Sequence, residues 1–237
     1  TKKHRLYSDN AANNVTRAAA TGSNSVALGN AAAASGTSSV AFGDGAIASG
    51  VSAIVIGTGR ATTQDSVAIA ITNNTTTYGA KTNVNAIAVG YLAIASGQYS
   101  IAIGPTATAS GDNTVVLGPN STSISAATSL GGSGNNCSGS YGVTLGGNGC
   151  SAAANYAATI GGSYLVANVE GKVVTGTGAV MGSGACQTGT TTLVRGSTDG
   201  TPVVLTTSAG AAGAGTQLRL VDNQSMAVTG RVIARRK

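Results

Sequence analysis

A short motif that ends in glycine recurs along most of the chain. It reads Ser-Val-Ala-Leu-Gly at 25–29, Ser-Val-Ala-Phe-Gly at 39–43 and Ser-Ile-Ala-Ile-Gly at 100–104. The copies end at positions 29, 43, 57, 70, 90, 104, 118, 131, 146, 161 and 182. Most successive ends are therefore thirteen to fifteen positions apart, and two steps, from 70 to 90 and from 161 to 182, are longer. A period of this length predicts a repeat architecture in which each copy stacks on the next.

A second motif, Ala-x-Ala-Ser-Gly, follows the first at a fixed distance. It occupies 32–36, 46–50, 93–97 and 107–111, and its glycine lies seven positions after the glycine of the preceding motif. One period therefore contains two short strands and two turns, which together form one coil of about fourteen residues. We expect the turn glycines to supply positive φ angles, since so short a coil must reverse direction twice.

Alternation along the first strand suggests which side chains point into the coil. Large apolar residues lie two apart, as in Val26 and Leu28, or Ile101 and Ile103. We expect these to point inward and to meet the small alanines of the second strand. The residues between them, such as Ala102, would then face outward, together with Ile47 and Ile94 of the second strand. The prediction is an outward stripe of small and branched apolar residues.

Such a coil has too thin a core to be stable alone, because its apolar burial does not easily offset the entropy of ordering the backbone. An outward apolar stripe indicates a binding surface. Association of identical chains through that stripe in a closed ring would supply the missing burial. The sequence therefore predicts a homotrimer.

The repeated unit, SVAxG followed by AxASG, resembles the head repeats of YadA-like trimeric autotransporter adhesins. The resemblance is clear over 25–57 and 86–118, weaker over 66–85, and reduced to an x-L-G core from 128 to 182. It implies an all-β fold, namely a trimeric left-handed parallel β-roll with coils of about fourteen residues. Similar repeats occur in bacteriophage tail fibres, so the motif indicates shape more than origin.

The two long steps indicate insertions, which a stacked coil tolerates only at its rim. Candidate receptor contacts lie in both. In the first insertion, between Ala70 and Gly90, they are Asn74, Thr76, Tyr78 and Lys81; in the second, between Gly161 and Gly182, they are Tyr164 and Lys172. Exposed Tyr with Asn and Lys suits a carbohydrate or protein receptor. The alternative is that both segments are structural loops that cover a coil edge.

The period of about fourteen residues stops near Gln187, and the remaining sequence predicts antiparallel strands separated by turns. We therefore divide the chain into an N-terminal cap or joint over 1–22, the β-roll over 23–187, and a small, truncated antiparallel β domain over 188–237. The last segment, from TTLVRG to RVIARRK, resembles a domain of bacteriophage tail fibres and related prophage tail proteins. No heptad pattern of a coiled-coil stalk is present in the sequence.

Composition argues against catalysis. The single histidine is His4, which removes triads, Cys-His pairs and histidine-bearing metal sites from consideration. A glycan depolymerase would need two nearby carboxylates. Asp44 and Asp65 are one and a half periods apart and should lie on opposite sides of the roll. We expect no enzymatic activity, no metal site and no cofactor.

The distribution of charge and the cysteine content restrict the classes of partner that we expect for the chain. The formal net charge is +6, but 1–17 contribute +3 and 231–237 contribute +4, which leaves −1 for 18–230. The body thus lacks the basic, aromatic surface expected of a nucleic-acid binder. Cys137, Cys150 and Cys186 are too few for a disulfide framework, and we expect small buried residues in a chain assembled in reducing cytosol. No apolar run is long enough to insert in a membrane.

These observations favour a homotrimeric structural fibre that recognises a host surface, as in a bacteriophage tail. Its partners would be a second and third copy of itself, a bacterial surface glycan or protein receptor, and other virion tail proteins; its location would be the virion tail, outside the cell. The first alternative is the head of a bacterial trimeric autotransporter adhesin, on the bacterial cell surface. The second is a tailspike glycan depolymerase.

Overall fold

The computed structural model describes residues 16–70, 81–176 and 187–191, which form 23 short strands and no helix. The strands alternate between two sheets along the chain. One, here the short-strand sheet, consists of two-residue strands: β1 (Ala19–Ala20), β3 (Ala33–Ala34), β5 (Ile47–Ala48), β7 (Arg60–Ala61), β9 (Lys81–Thr82), β11 (Ile94–Ala95), β13 (Thr108–Ala109), β15 (Thr122–Ser123), β17 (Asn136–Cys137), β19 (Ser151–Ala152) and β21 (Val166–Ala167).

The other, here the long-strand sheet, has strands of three or four residues: β2 (Val26–Leu28), β4 (Val40–Phe42), β6 (Ile54–Gly57), β8 (Val67–Ala70), β10 (Ile87–Val89), β12 (Ile101–Ile103), β14 (Val115–Leu117), β16 (Thr128–Leu130), β18 (Val143–Leu145), β20 (Ala158–Ile160), β22 (Val173–Gly176) and β23 (Gln187–Thr190). All pairs are parallel and join equivalent strands of neighbouring coils, except that β23 pairs with β22 in the antiparallel sense. The predicted parallel β-roll is confirmed.

The pairing register reproduces the sequence period. Val26 pairs with Val40, and Val40 with Ile54, so these coils advance the chain by fourteen positions. From β16 onward the step is fifteen, as in the pairing of Thr128 with Val143. The long first step is confirmed, since Val67 pairs directly with Ile87. Residues 71–80, which include Asn74, Thr76 and Tyr78, lie outside the described part of the chain.

The second predicted insertion is wrong. Ala158 pairs with Val173 at a regular step of fifteen, so the next strand is Val173–Gly176 and not the later Gly-Ala-Val-Met-Gly copy. Tyr164 and Lys172 therefore lie in the turns of an ordinary coil. Both segments end a strand in glycine, and the pattern alone favoured the copy with the more regular apolar residues. Ala19–Ala20 also pairs in regular register with Ala33–Ala34, within the stretch assigned to a cap; the domain boundaries stay a prediction.

The predicted inward face of the long-strand sheet is also wrong. The inward residues are the small ones, including Ala27, Ala41 and Ala102, and the large residues on either side of each point outward. On the short-strand sheet the prediction holds, with alanine inside and Ile47 and Ile94 outside. The main core cluster contains twenty buried residues, of which eighteen are Ala and two are Val. Coils this short bring the two sheets so close together that methyl groups fill the space between them.

The hydroxyl side chain at the first position of the repeated motif makes a hydrogen bond to the preceding turn. The Ser39 hydroxyl is buried and donates a hydrogen bond of 2.7 Å to the carbonyl oxygen of Gly36. Ser100 and Thr114 make the same bond to Gly97 and Gly111, which lie three positions before them. A short hydroxyl side chain can satisfy a turn carbonyl in this way. The serine of SVAxG thus fixes the corner that precedes the long strand.

The glycine of Ala-x-Ala-Ser-Gly is required for a reason other than its φ angle. A Cβ atom on Gly36 would lie 1.9 Å from the carbonyl oxygen of Gly50 in the next coil. The left-handed conformations occur elsewhere, both at glycines such as Gly43 (φ 137°) and at residues with side chains such as Ser38 (φ 58°). Glycine at 36 therefore permits the close approach of stacked coils.

Candidate functional site

The outer face of the long-strand sheet is an apolar surface that runs the length of the roll. It consists of the first and third residues of the even-numbered strands from β2 to β22, which belong to the long-strand sheet. These residues form two columns along eleven coils. Nineteen of these 22 positions carry Val, Ile, Leu or Phe, the exceptions being Thr128, Ala158 and Thr175. At about 4.8 Å per coil the columns are roughly 50 Å long.

Large side chains on this face remain accessible in the single chain. Phe42 is 52% exposed and Ile103 is 40% exposed. Val26, Ile54, Ile56, Leu117, Leu145 and Ile160 are exposed to a similar degree. A continuous apolar surface of this kind is characteristic of an interaction site. The stripe predicted from sequence is thus present, but it is formed by the large residues and not by alanine.

The outer face of the short-strand sheet is more polar. Arg60 pairs in register with Lys81, so two exposed cations are neighbours on this face. Ser49, Ser96 and Ser110 are exposed just after their strands. The outer face of the short-strand sheet therefore mixes charged and polar residues with the aliphatic Ile47 and Ile94, whereas the outer face of the long-strand sheet is mostly aliphatic.

The described receptor-contact candidates do not form one site. Lys81 is exposed on β9, six strands away from β21 in the short-strand sheet, or roughly 29 Å at the usual strand spacing. Tyr164 lies in the turn before β21, and Lys172 in the turn before β22, at the opposite corner of the coil. No single ligand-sized pocket can include all three.

Tyr164 and Lys172 both pack against neighbouring parts of the roll. The Tyr164 ring covers Gly149 in the preceding coil, where an added Cβ would lie 2.8 Å from the ring. Lys172 is partly buried, and this burial lowers the pKa of its ammonium group. An added Cβ on Gly189 of β23 would lie 2.9 Å from the Lys172 side chain. Both residues thus pack against glycines of neighbouring segments.

A corner that sequence reasoning missed carries a pair of tyrosines. Tyr141 and Tyr156 occupy equivalent positions in neighbouring coils, and their rings stack with centroids 5.4 Å apart and planes 8° apart. Tyr141 also lines a cleft of about 540 Å³. The other lining residues come from the two preceding coils and from the position before Tyr141: Ser110, Gly111, Asp112, Asn113, Ser125, Ala126 and Ser140. The repeat spacing of fifteen between the two tyrosines was the available signal.

The acidic and cysteine side chains of the described residues are dispersed along the roll. No group of three His, Cys, Asp or Glu side chains that could hold a metal occurs in the described part of the chain. Asp44 lies in the turn between β4 and β5, and Asp65 in the turn between β7 and β8, at opposite corners of the roll. Cys137 and Cys150 are buried free thiols, and burial raises the pKa of Cys137 to about 11. Cys186 lies outside the described residues.

Comparison with known proteins supports the repeat assignment. Residues 16–32, 20–46, 34–59, 82–105 and 95–121 match the YadA head domain repeat, and together they cover 84 of 237 residues. The match ends at 121, whereas the roll continues to Gly176 with longer coils. No curated protein matches the chain. Within the described ranges, no helix is long and apolar enough to cross a membrane.

Proposed function

We propose that the chain is a homotrimeric attachment protein, exposed outside the cell, whose β-rolls associate through the outer face of the long-strand sheet. The observation that carries the proposal is the apolar surface along that face, where nineteen of 22 outward positions carry Val, Ile, Leu or Phe. The match to YadA head repeats supports it, because those heads are parts of trimeric adhesins.

The physical argument concerns where the large side chains lie. In the coils up to Val116 the interior is almost entirely alanine, so most of the large aliphatic surface of these coils is outside it. Fully burying an Ile or Leu side chain contributes about 1.5–3 kcal/mol, and the single chain leaves much of this contribution unrealised. A closed ring of three identical chains removes the face from water without leaving a free edge of the interface.

Two classes of protein fit this architecture. The resemblance of the 188–237 segment to tail-fibre domains favours a bacteriophage tail fibre, bound to other virion tail proteins and to a glycan or protein on the host cell. The YadA head match favours the head of a bacterial trimeric autotransporter adhesin equally well. In both, the roll would present a receptor-binding surface and would carry out no catalysis.

Light scattering on the full chain tests the assembly. A trimer should give three times the single-chain mass of 22.7 kDa. The double variant Ile56→Asp/Ile103→Asp places charge on the long-strand face, and we expect a mass near 22.7 kDa. Ile47→Asp/Ile94→Asp places the same charges on the short-strand face and should remain trimeric. A wild-type mass of one chain, or equal behaviour of the two variants, would contradict the proposed interface.

Binding to cells tests the attachment. The purified trimer should bind a bacterial host and block adsorption of the corresponding phage if the chain belongs to a tail fibre. Binding to other cells without any effect on phage adsorption would favour the adhesin. Incubation with host polysaccharide should release no reducing sugar; release would restore the depolymerase hypothesis.

A further inference from the structure

The corner that precedes β16 is shorter than the corresponding corners on either side. Six positions separate Thr122 from Thr128, against seven between Thr108 and Val115 and seven between Asn136 and Val143. Two successive residues, Ser125 and Ala126, have positive φ angles there. The missing residue leaves a notch between the two neighbouring corners, and the cleft of about 540 Å³ lies at this place.

The walls of the cleft carry groups of complementary kinds. On one side is Asp112, which uses Oδ1 to accept a hydrogen bond of 2.8 Å from the Gln98 amide. Its other carboxylate oxygen has no hydrogen-bond partner among the residues that the structure describes. On the opposite side is Tyr141, supported from behind by the stacked ring of Tyr156. The hydroxyls of Ser125 and Ser140 belong to the same lining.

Tyr99 occupies the same corner position in another coil, but it is not among the residues that line the cleft, whereas Tyr141 lines it and stacks on Tyr156. Tyr141 and Tyr156 both have φ near 57° and are about 60% exposed. A left-handed conformation costs a residue with a side chain about 1–2 kcal/mol. Asn113 and Gly171, which adopt this conformation more readily, occupy the equivalent position in other coils. Tyr141 is distinguished by its place in the cleft and by the ring of Tyr156 stacked on it, which together present a supported aromatic surface to a ligand.

We propose that this cleft binds an uncharged pyranose unit of a cell-surface glycan. The C–H face of a sugar ring would pack on Tyr141, while Asp112 and the two serines would bond its hydroxyls. A carboxylate accepts hydrogen bonds from neighbouring hydroxyls and repels acidic sugars, so the site should discriminate against uronic acids. This inference rests on the proposed attachment function and assigns to it a ligand class and a place.

The test uses the full chain and four methyl pyranosides: glucoside, mannoside, galactoside and glucuronide. Saturation-transfer NMR should show contact with the ring protons of at least one neutral sugar, with titration giving its affinity. The chain has no Trp, so tyrosine fluorescence gives an independent signal. Tyr141→Ala should weaken binding by about tenfold. Alanine adopts the same conformation at Ala126, so the variant should keep the fold.

Tyr164→Ala is the matched control, since it removes an exposed tyrosine with φ near 54° from a corner outside the cleft. It should bind like the wild type. Asp112→Asn keeps an acceptor for Gln98 and should improve binding of the glucuronide relative to the neutral sugars. The proposal is overturned if no neutral sugar shows saturation transfer, or if the wild type binds the glucuronide in preference to the neutral sugars. It is also overturned if both tyrosine variants lose sugar affinity equally, or if Tyr141→Ala changes the number of chains in the assembly.

Cell binding separates this inference from the proposed function. If wild type and Tyr141→Ala bind cells equally well, attachment stands and the cleft is not its site. If the wild type binds no cells but still binds a neutral sugar through Tyr141, the cleft stands and the attachment function fails.

Discussion

Replacing Gly36 by alanine should destabilise the roll by pushing two coils apart. The added Cβ would lie 1.9 Å from the carbonyl oxygen of Gly50 and 2.5 Å from its carbon. Ordinary van der Waals contact begins only at 3.4 Å, so neither atom can stay where it is. Both clashing atoms are backbone, which leaves no flexible side chain to move aside.

The magnitude follows from the bonds next to the clash. Ser35 and Gly36 donate backbone hydrogen bonds of 3.0 and 3.3 Å to the Ala48 carbonyl oxygen in the next coil. A displacement large enough to relieve the clash breaks both bonds, at about 1 kcal/mol each, and overpacking adds about 1 kcal/mol or more. We expect a loss of about 3 kcal/mol, which for a chain of this size lowers Tm by about 6–12 °C.

Gly161→Ala is the matched control. An added Cβ there meets nothing within 4 Å, although φ is +65°. It should therefore cost only the left-handed strain, about 1 kcal/mol, or about 2–4 °C. Thermal unfolding followed by far-UV circular dichroism at equal chain concentration compares the two. A Gly36→Ala variant as stable as Gly161→Ala would refute the close-approach argument.

Three further predictions concern the buried interior. The Thr144 hydroxyl is buried without a hydrogen-bond partner in the described structure, so Thr144→Val should raise the free energy of unfolding by about 1 kcal/mol. Thr114→Val removes a hydrogen bond of 2.7 Å to the Gly111 carbonyl oxygen and should lower the free energy of unfolding by a similar amount. Chemical denaturation measures both. Because the pKa of Cys137 is raised to about 11, its contribution to stability should be intact below pH 9 and lost as pH rises toward 11. That decline should be absent from Cys137→Ala in the same denaturation series, and its persistence there would assign it to another group.

The period predicted the fold because stacked coils impose equal spacing on their strands, whatever the side chains are. Alternation could show that Ile101 and Ile103 share a face, but not which face, because both surfaces of this sheet are apolar. The choice depends on the distance between the sheets, which the two-residue strands and tight corners determine and which leaves room for Ala102. The thirteen-residue step from 118 to 131 was visible in the sequence, as was the one from 57 to 70, but the sequence did not show that the shorter corner before β16 opens a cleft beside Tyr141.

The coil-to-coil hydrogen bonds have a mechanical consequence. They run along the axis of the roll, as between Val40 and Ala53, and each coil bonds only to the coils before and after it. A pull on the two ends of the roll therefore passes through every junction in series, and each junction carries the whole load. The weakest junction alone sets the force at which the roll gives way, so added coils lengthen its reach without adding strength.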